Sequence, residues 1–470
     1  MRSTLLFALL FLGTAVSADE AAQPGIPSSA LAEPILYRRV EIPEPLLLRQ
    51  TDGDEERCFG GDLRVGDLNG DGQADFLVYR SVDNAHDGGG MKPCFLGAFT
   101  MAGKVLWQVG IGGEQPCRPG PVAVHDIDGD GACEVVCFFL DPGQEAPPAS
   151  MANVVVQIRS GATGEVERRA QPAALAACSG QGPNWCHQRI LIANFRGTDT
   201  PRDFVIKLGT VLIAFDQNLD VLWTYRSTWS AYANCPAYIP AVGDIDGDGK
   251  DEVNGGYSLL RADGTPYWER KLGLHMDSVA ITEWDNGHVR AICSGFGHVM
   301  DERGKAVLSL GEEIVPHGQE VRVARFSAED PAPHMLIRYN AHTPEVILVN
   351  TEGETLRRFQ LNPTPNNTGM EVIYWQGPGA PAALVNGSML WDPATETAAA
   401  LPGLPEPQGP HRSGWYHCIP ADICGDPREE ALLYNPWDRV VYVYTPAELD
   451  EAAYTGYRPT PRQYNARLMD

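Results

Sequence analysis

Three nine-residue stretches place oxygen-bearing side chains at alternating positions. Asp67, Asn69, Asp71 and Asp75 stand at positions 1, 3, 5 and 9 of the first, Asp126, Asp128, Asp130 and Glu134 of the second, and Asp244, Asp246, Asp248 and Glu252 of the third. A glycine at position 6 of each permits a sharp turn, and the carbonyl at position 7 is available as a further oxygen. Hard oxygens wrapped around one point suit Ca2+, which takes six to eight of them at about 2.3–2.6 Å. Without an ion these carboxylates would repel one another, so the pattern reads as a Ca2+ loop rather than a solvated acidic turn. Strand-forming residues flank every copy, as in "VGDLNGDGQADFLVY" and "VHDIDGDGACEVVCF". An EF-hand, which needs flanking helices and a Glu at position 12, does not fit.

Used as a ruler, the loops expose a second set of residues. Weaker copies are anchored at Asn194, Glu283, Arg325, Tyr374 and Asp422. Five to eight residues before the eight anchors lie Asp62, Arg118, His187 with Arg189, Tyr238, His275 with Asp277, His317 with Glu320, Asn367, and Tyr416 with His417. Four of the eleven histidines fall in this window, near Trp185, Trp415 and Tyr232, whose rings suit stacking on sugar faces. Imidazole, phenol and guanidinium groups at equivalent places suit proton transfer on an anionic substrate. The carboxylates Asp62, Asp277 and Glu320 would suit hydrolysis instead, and a polar, aromatic mouth also suits binding without catalysis. No nucleophile elbow, phosphate loop or zinc spacing occurs in the sequence.

These residues need elements to hold them, and the spacing of the anchors supplies the plan. The eight anchors recur about every 51 residues, in the range of propeller blades. Each unit reads as a strand before the loop, a strand after it, and a hairpin turning on Gly, Asp or Asn, with no long helical periodicity. Four short strands repeated radially predict an all-β, eight-bladed β-propeller with calcium-binding loops. Seven blades are the alternative, because the units at Glu283, Arg325 and Tyr374 have lost their acidic loops. The last unit supplies three strands, and "ILYRRVEIP" near residue 40 is expected to add the fourth and close the ring. One propeller domain is expected over 35–450, followed by a Pro- and Arg-rich tail over 451–470. A propeller's functional site belongs at the mouth of its central channel, where segments from different blades converge.

Net charge is −25 and the isoelectric point about 4.8, which disfavours nucleic acid and anionic membrane surfaces as partners. Residues 1–18 read as a secretory signal and 19–34 as a linker, so a secreted or periplasmic monomer without membrane insertion is expected. Eleven cysteines leave at least one unpaired; Cys58 with Cys94 and Cys178 with Cys186 are plausible disulfides, whereas Cys133 and Cys137 on an apolar run read as small core residues. A Gly-rich insertion at 81–97 in the first blade reads as a flexible connector or as a loop over the channel mouth to which His86 and Lys92 would contribute.

The acidic loops resemble those of FG-GAP or VCBS-type propellers, the family that includes integrin α-subunit heads. Eight blades, export and these loops together look most similar to the family 11 rhamnogalacturonan lyases, a likeness covering about 35 to 450 in architecture but specific only in the three loops. The chain departs from what that family leads one to expect in reading as propeller from about residue 35, with no separate β-sandwich expected before it. That resemblance implies a polysaccharide lyase cleaving a uronate-bearing glycan by β-elimination: a base removes the proton α to the carboxylate, positive groups stabilise the enolate, and an acid protonates the leaving oxygen. His187 or His275 would be the base, with His317 in the same ring, and Tyr416 or His417 the acid. Arg118, Arg189 and Arg412 would neutralise the substrate carboxylate, Tyr238, Trp185 and Trp415 would contact sugar, and Ca2+ would be the cofactor. The second reading is a non-catalytic carbohydrate-binding or adhesion propeller.

Overall fold

Short runs of β-branched, leucine and aromatic residues, each ended by Gly, Asp or Asn, fold as antiparallel strands that group in fours. The computed structural model describes residues 31–47, 49–52, 55–58, 62–81, 91–116, 122–141, 153–176, 189–208, 211–227, 237, 239–362, 369–407, 414–435, 438–449 and 454–459. Within them eight four-stranded sheets form the blades of a propeller. Their innermost strands are Asp62–Gly66, Val122–His125, Arg189–Ala193, Ala241–Gly243, Val279–Asp285, Glu320–Ala324, Met370–Ile373 and His417–Ala421. The N-terminal strand Ile35–Glu41 pairs with Val440–Thr445 as the outermost strand of blade 8, so chain start and chain end share one blade. The seven-bladed alternative is thereby excluded.

Each seam between neighbouring blades has its own buried apolar cluster, eight clusters for eight seams among the described residues. Ile292 and Val299 of blade 5 meet Val321, Ile337 and Ile347 of blade 6, for example. The closing seam is of the same kind, with Leu63, Phe76 and Val78 of blade 1 against Ile419, Leu432 and Val441 of blade 8. Cys133 and Cys137 are buried free thiols in this packing, and burial pushes both up to about 12, which keeps them protonated.

Two backbone devices repeat around the ring. The residue just before a blade's second strand donates its N–H to the anchor carbonyl of the preceding blade: Cys133 to Asp67 at 2.7 Å, Asp251 to Asn194 at 3.1 Å, Ala382 to Arg325 at 2.8 Å and Glu429 to Tyr374 at 3.1 Å. At the closing seam the C-terminal segment takes over, and Arg458 donates to Asp422 at 3.1 Å. Farther out, Trp107 and Trp223 donate from Nε1 to Gly161 and Ala262 in the next blade's turn, and their rings lie where a Cβ on Gly164 or Gly264 would be.

The inner strands all run in one sense, so the ring has two unlike faces. The carboxylate loops join first to second strands on one face. The connections entering each inner strand, and the turns between second and third strands, lie on the other, called here the mouth. Inner strands of three to seven residues separate the faces by roughly 10–20 Å.

Candidate functional site

The carboxylate loops share one hydrogen-bonding plan. In the first, Asp67 accepts the N–H groups of Asp71 at 3.1 Å and Gly72 at 2.7 Å, and Asp75 accepts that of Leu68 at 3.1 Å. Glu134 repeats the last bond to Ile127 at 3.0 Å, and Glu252 to Ile245 at 3.1 Å. Burial pushes Asp75 up to about 7, Glu134 to about 8 and Glu252 to about 7, with neighbouring aspartates adding to the shift. Asp75 Oδ1 and Asp128 Oδ1 are buried and accept no hydrogen bond from the described residues. A buried carboxylate left partly unpartnered and pushed toward neutrality, as Asp75 is, fits a site that would hold a cation. Carboxylate oxygens of Asp126, Asp128 and Glu134, and of Asp244, Asp246 and Asp248, lie within 4.8 Å of one another.

Blade 8 keeps this plan in a form the sequence pattern undervalued. Glu430 accepts the Ile423 N–H at 3.0 Å and Asp422 accepts that of Gly425, but Cys424 stands at position 3 and Arg428 pairs with Asp426. Blade 5 has no such loop: its inner strand runs through Glu283 to Asp285 and turns tightly on Asn286 and Gly287.

On the mouth face, blades 5 and 6 bring three of the sequence candidates together. His275 and Asp277 lie in the connection entering blade 5. Met276 between them is fully buried in the blade 4/5 seam, and the Tyr257 hydroxyl lies 2.7 Å from the carbonyl oxygens of both Gly273 and Leu274. His317 enters blade 6 with Val315 buried beneath it. His275 Nε2 lies 3.2 Å from His317 Nε2 and 3.2 Å from Asp277 Oδ2, and His317 Nε2 is 3.6 Å from the same oxygen. One ring N–H on His275 can serve only one of its two neighbours. Both oxygens of Asp277, 5% exposed, accept no hydrogen bond from the described residues. A point equidistant from three atoms so spaced lies about 2 Å from each, a divalent cation's distance to nitrogen and oxygen ligands. A two-histidine, one-carboxylate set suits a first-row divalent ion better than Ca2+, whereas the all-oxygen loops suit Ca2+.

The other described candidates, Tyr416, His417, Trp415 and Glu320, lie elsewhere in the ring. Arg118, Trp185, His187, Tyr238 and Arg412 lie outside the described residues, as do Tyr232 and Asn367, and of Arg189 only the backbone, in the inner strand of blade 3, is described. Tyr416 is a core residue of the blade 7/8 seam, and its hydroxyl donates to Asp438 at 2.6 Å. His417 is 3% exposed at the start of the blade 8 inner strand, and Trp415 beside it is half-buried. Glu320 faces the blade 6/7 seam, where Arg322 joins it to Glu371 at 2.8 and 3.0 Å. His342, absent from the sequence set, lies with its ring 6.2 Å from that of His317, on a turn that shares no spacing with the loops.

Residues 37–161 match the sequence model of the rhamnogalacturonan lyase family 11 C-terminal domain. The chain is 27% identical over 302 residues to rhamnogalacturonan endolyase YesW of Bacillus subtilis (strain 168), covering 55% of this chain and 47% of that protein. It is 27% identical over 271 residues to rhamnogalacturonan exolyase YesX of the same organism, covering 50% and 44%. The chain thus spans about half the length of the curated relatives it matches. Among solved structures, YesW superposes with a TM-score of 0.67 at 20% identity over 87% of this chain and 75% of that one. The Bacillus licheniformis rhamnogalacturonan lyase superposes at 0.66 and 20% over 87% and 76%. In sequence and in fold, the chain is similar to family 11 rhamnogalacturonan lyases.

Proposed function

We propose that the protein is an exported polysaccharide lyase that cleaves a uronate-bearing glycan of the rhamnogalacturonan kind by β-elimination, with its centre at His275, Asp277 and His317. The observation that carries this reading is the convergence of His275 Nε2, His317 Nε2 and Asp277 Oδ2 within 3.6 Å at the propeller mouth, around a carboxylate that accepts no hydrogen bond from the described residues. The sequence similarity to rhamnogalacturonan lyases supports it. The apolar run Leu5 to Leu12 followed by small residues supports export.

Those three side chains would hold a divalent cation, and the loops at Asp67, Asp126 and Asp244 would hold Ca2+. A cation at the mouth supplies positive charge for the substrate carboxylate, which acidifies the α proton and offsets the repulsion between an anionic glycan and a chain of net charge −25. In the elimination the C–H bond α to the carboxylate breaks and its proton passes to the base, the electron pair forms the new double bond, and the glycosidic C–O bond at the β carbon breaks with its pair on the oxygen, which takes a proton from water to become an alcohol. Committing His275 and His317 to the cation leaves proton abstraction to His187, the other base assigned from the sequence.

The test is incubation of the full chain with rhamnogalacturonan and, separately, homogalacturonan, following near-ultraviolet absorbance of an unsaturated uronate. A lyase releases it, and loses most of that activity as Asp277→Asn. A glycan that is retarded in a gel but never cleaved replaces this reading with a carbohydrate-binding propeller.

A further inference from the structure

On the mouth face of blade 5, the second strand His288–Cys293 turns into the third, His298–Met300, through Ser294, Gly295, Phe296 and Gly297. This turn is wedged between the two connections that carry the candidate centre. The Ser294 N–H donates to Ser278 at 2.9 Å, and the Gly311 N–H donates to Phe296 at 3.0 Å. A Cβ on Gly295 would lie 3.1 Å from the His275 carbonyl oxygen, and one on Gly318 would lie 1.8 Å from that of Ser294. The glycines beside His275 and His317 are therefore consequences of this close fit.

Within the turn, Phe296 has φ 56° and ψ 10°. That left-handed conformation suits glycine or asparagine and is unfavourable for a bulky aromatic residue. Its ring lies where a Cβ on Gly273 would be, 2.3 Å from the ideal position, two residues before His275. It meets the His298 ring edge-to-face at 6.3 Å, and His298 is itself fixed by Leu272 O and Ser309 Oγ, both at 2.8 Å. The residue is half-buried, and its ring is backed by Gly273 and by the His298 ring. A strained residue in an otherwise well-formed turn beside a candidate centre points to a role for its side chain.

We propose that Phe296 is a sugar-stacking platform: the apolar face of a neutral 6-deoxyhexose rests on it while the adjoining uronate sits at the His275, Asp277 and His317 centre. This rests on the lyase reading, because the alternation of a neutral with a charged sugar is what two such adjacent surfaces would distinguish. Stacking on a propped ring supplies affinity without proton transfer.

The experiment compares the full-length wild type with Phe296→Asn, Phe296→Gly and Phe296→Tyr in melting temperature, steady-state kinetics on rhamnogalacturonan, and gel retardation by it. Asparagine and glycine relieve the backbone, so the proposal expects their melting temperatures to hold or rise while KM increases about tenfold, the loss falling on KM more than on kcat. Tyrosine restores the low KM. An aromatic residue that only packs would instead lower the melting temperature of the asparagine and glycine variants and leave KM unchanged, which overturns the platform. If the wild type retards the glycan without cleaving it and Phe296→Asn abolishes retardation, the lyase reading fails and the platform stands. If the wild type cleaves and all three variants share its KM, the platform fails alone; a wild type that neither cleaves nor binds removes both.

Discussion

Arg196 grips both carboxylate oxygens of Asp203: its backbone N–H donates to Oδ2 at 3.0 Å and its Nε to Oδ1 at 2.7 Å. Asp203 is fully buried at the start of blade 3's second strand, where Asp75, Glu134 and Glu252 stand in blades 1, 2 and 4. A guanidinium thus stands beside this carboxylate, where the sister loops gather further carboxylates. Blade 6 reaches the same end without charge, since His334 Nδ1 accepts the Phe326 N–H at 3.4 Å. The common requirement is an acceptor for the N–H groups that start the loop, and the blades differ in how its charge is balanced.

Arg196→Met removes that balance and leaves Asp203 buried without a counter-charge. We expect a loss of about 2–3 kcal/mol, less than for a fully buried pair because the guanidinium is partly exposed. Adding Asp203→Asn should recover most of it, since the amide is uncharged yet keeps an oxygen to accept the Arg196 N–H. Denaturant unfolding of the wild type, both single variants and the double variant measures the coupling. A single variant that unfolds with the wild type would reduce the ion pair to a bystander.

Cation removal should give the protein an unusual pH dependence. Burial raises Asp75 to about 7, Glu134 to about 8 and Glu252 to about 7, against unfolded values near 4. Groups raised on folding contribute stability that is complete below the unfolded value and lost as pH rises through the folded one. With a chelator present, melting temperature should therefore fall between pH 5 and pH 8, and excess Ca2+ should abolish that fall by favouring the ionised forms. Thermal scans at three pH values with and without chelator decide it. A chelated protein that gains stability toward pH 8 would contradict the assignment of the loops.

Asp277→Asn separates the mouth centre from the scaffold. Asp277 lends no acceptor to the described protein groups, so the substitution should change melting temperature little. Cation affinity at the mouth, read by equilibrium dialysis with the loops saturated in Ca2+, should fall at least about tenfold, and lyase turnover with it. Retained affinity would mean that the two histidines form a hydrogen-bonded pair rather than a ligand set.

The register of the ring was legible because the turn between first and second strands recurs with its spacing. Only blade 5 misled, where the anchor at Glu283 is interior strand and the turn is the two-residue Asn286-Gly287 type. The N-terminal strand's place in blade 8 followed from the count. The mouth was legible in part. His275, Asp277 and His317 lie on short, regular connections, so distance along the chain tracked position in space. Tyr416 and His417 fall at an equivalent distance yet turn into the protein, because a shift of one residue on a strand exchanges its two faces and the apolar neighbours Cys418 and Ile419 mark neither face as inner. Phe296 and His342 were not legible, since the turns between second and third strands follow no common spacing.

Ring closure depends on a C-terminal clasp that substitutes for a repeated bond. Thr455 donates its N–H to Cys424 at 3.0 Å, Tyr457 to Gly72 at 2.8 Å and Arg458 to Asp422 at 3.1 Å, so six residues tie the blade 8 loop to the blade 1 loop. Tyr457 packs on the closing seam, and the Tyr454 hydroxyl donates to that of Tyr37 on the N-terminal strand at 3.0 Å. Gly456 makes the crossing feasible: it has φ 96°, and a Cβ there would lie 2.7 Å from the Gly72 oxygen. Gly456→Ala therefore adds a backbone clash to left-handed strain and should cost about 1–3 kcal/mol. Gly287→Ala is the matched control, with φ 79° and no atom within 4 Å of its Cβ, and should cost only the strain, about 1 kcal/mol. The two should also differ in place. Opening the clasp should speed hydrogen exchange in Ile35–Glu41 and its partner Val440–Thr445 while blades 3 to 6 keep their protection, because the seam it spans is the one where both ends of the chain meet. Uniform acceleration around the ring would instead mean that the blades open together and that the clasp has no local role.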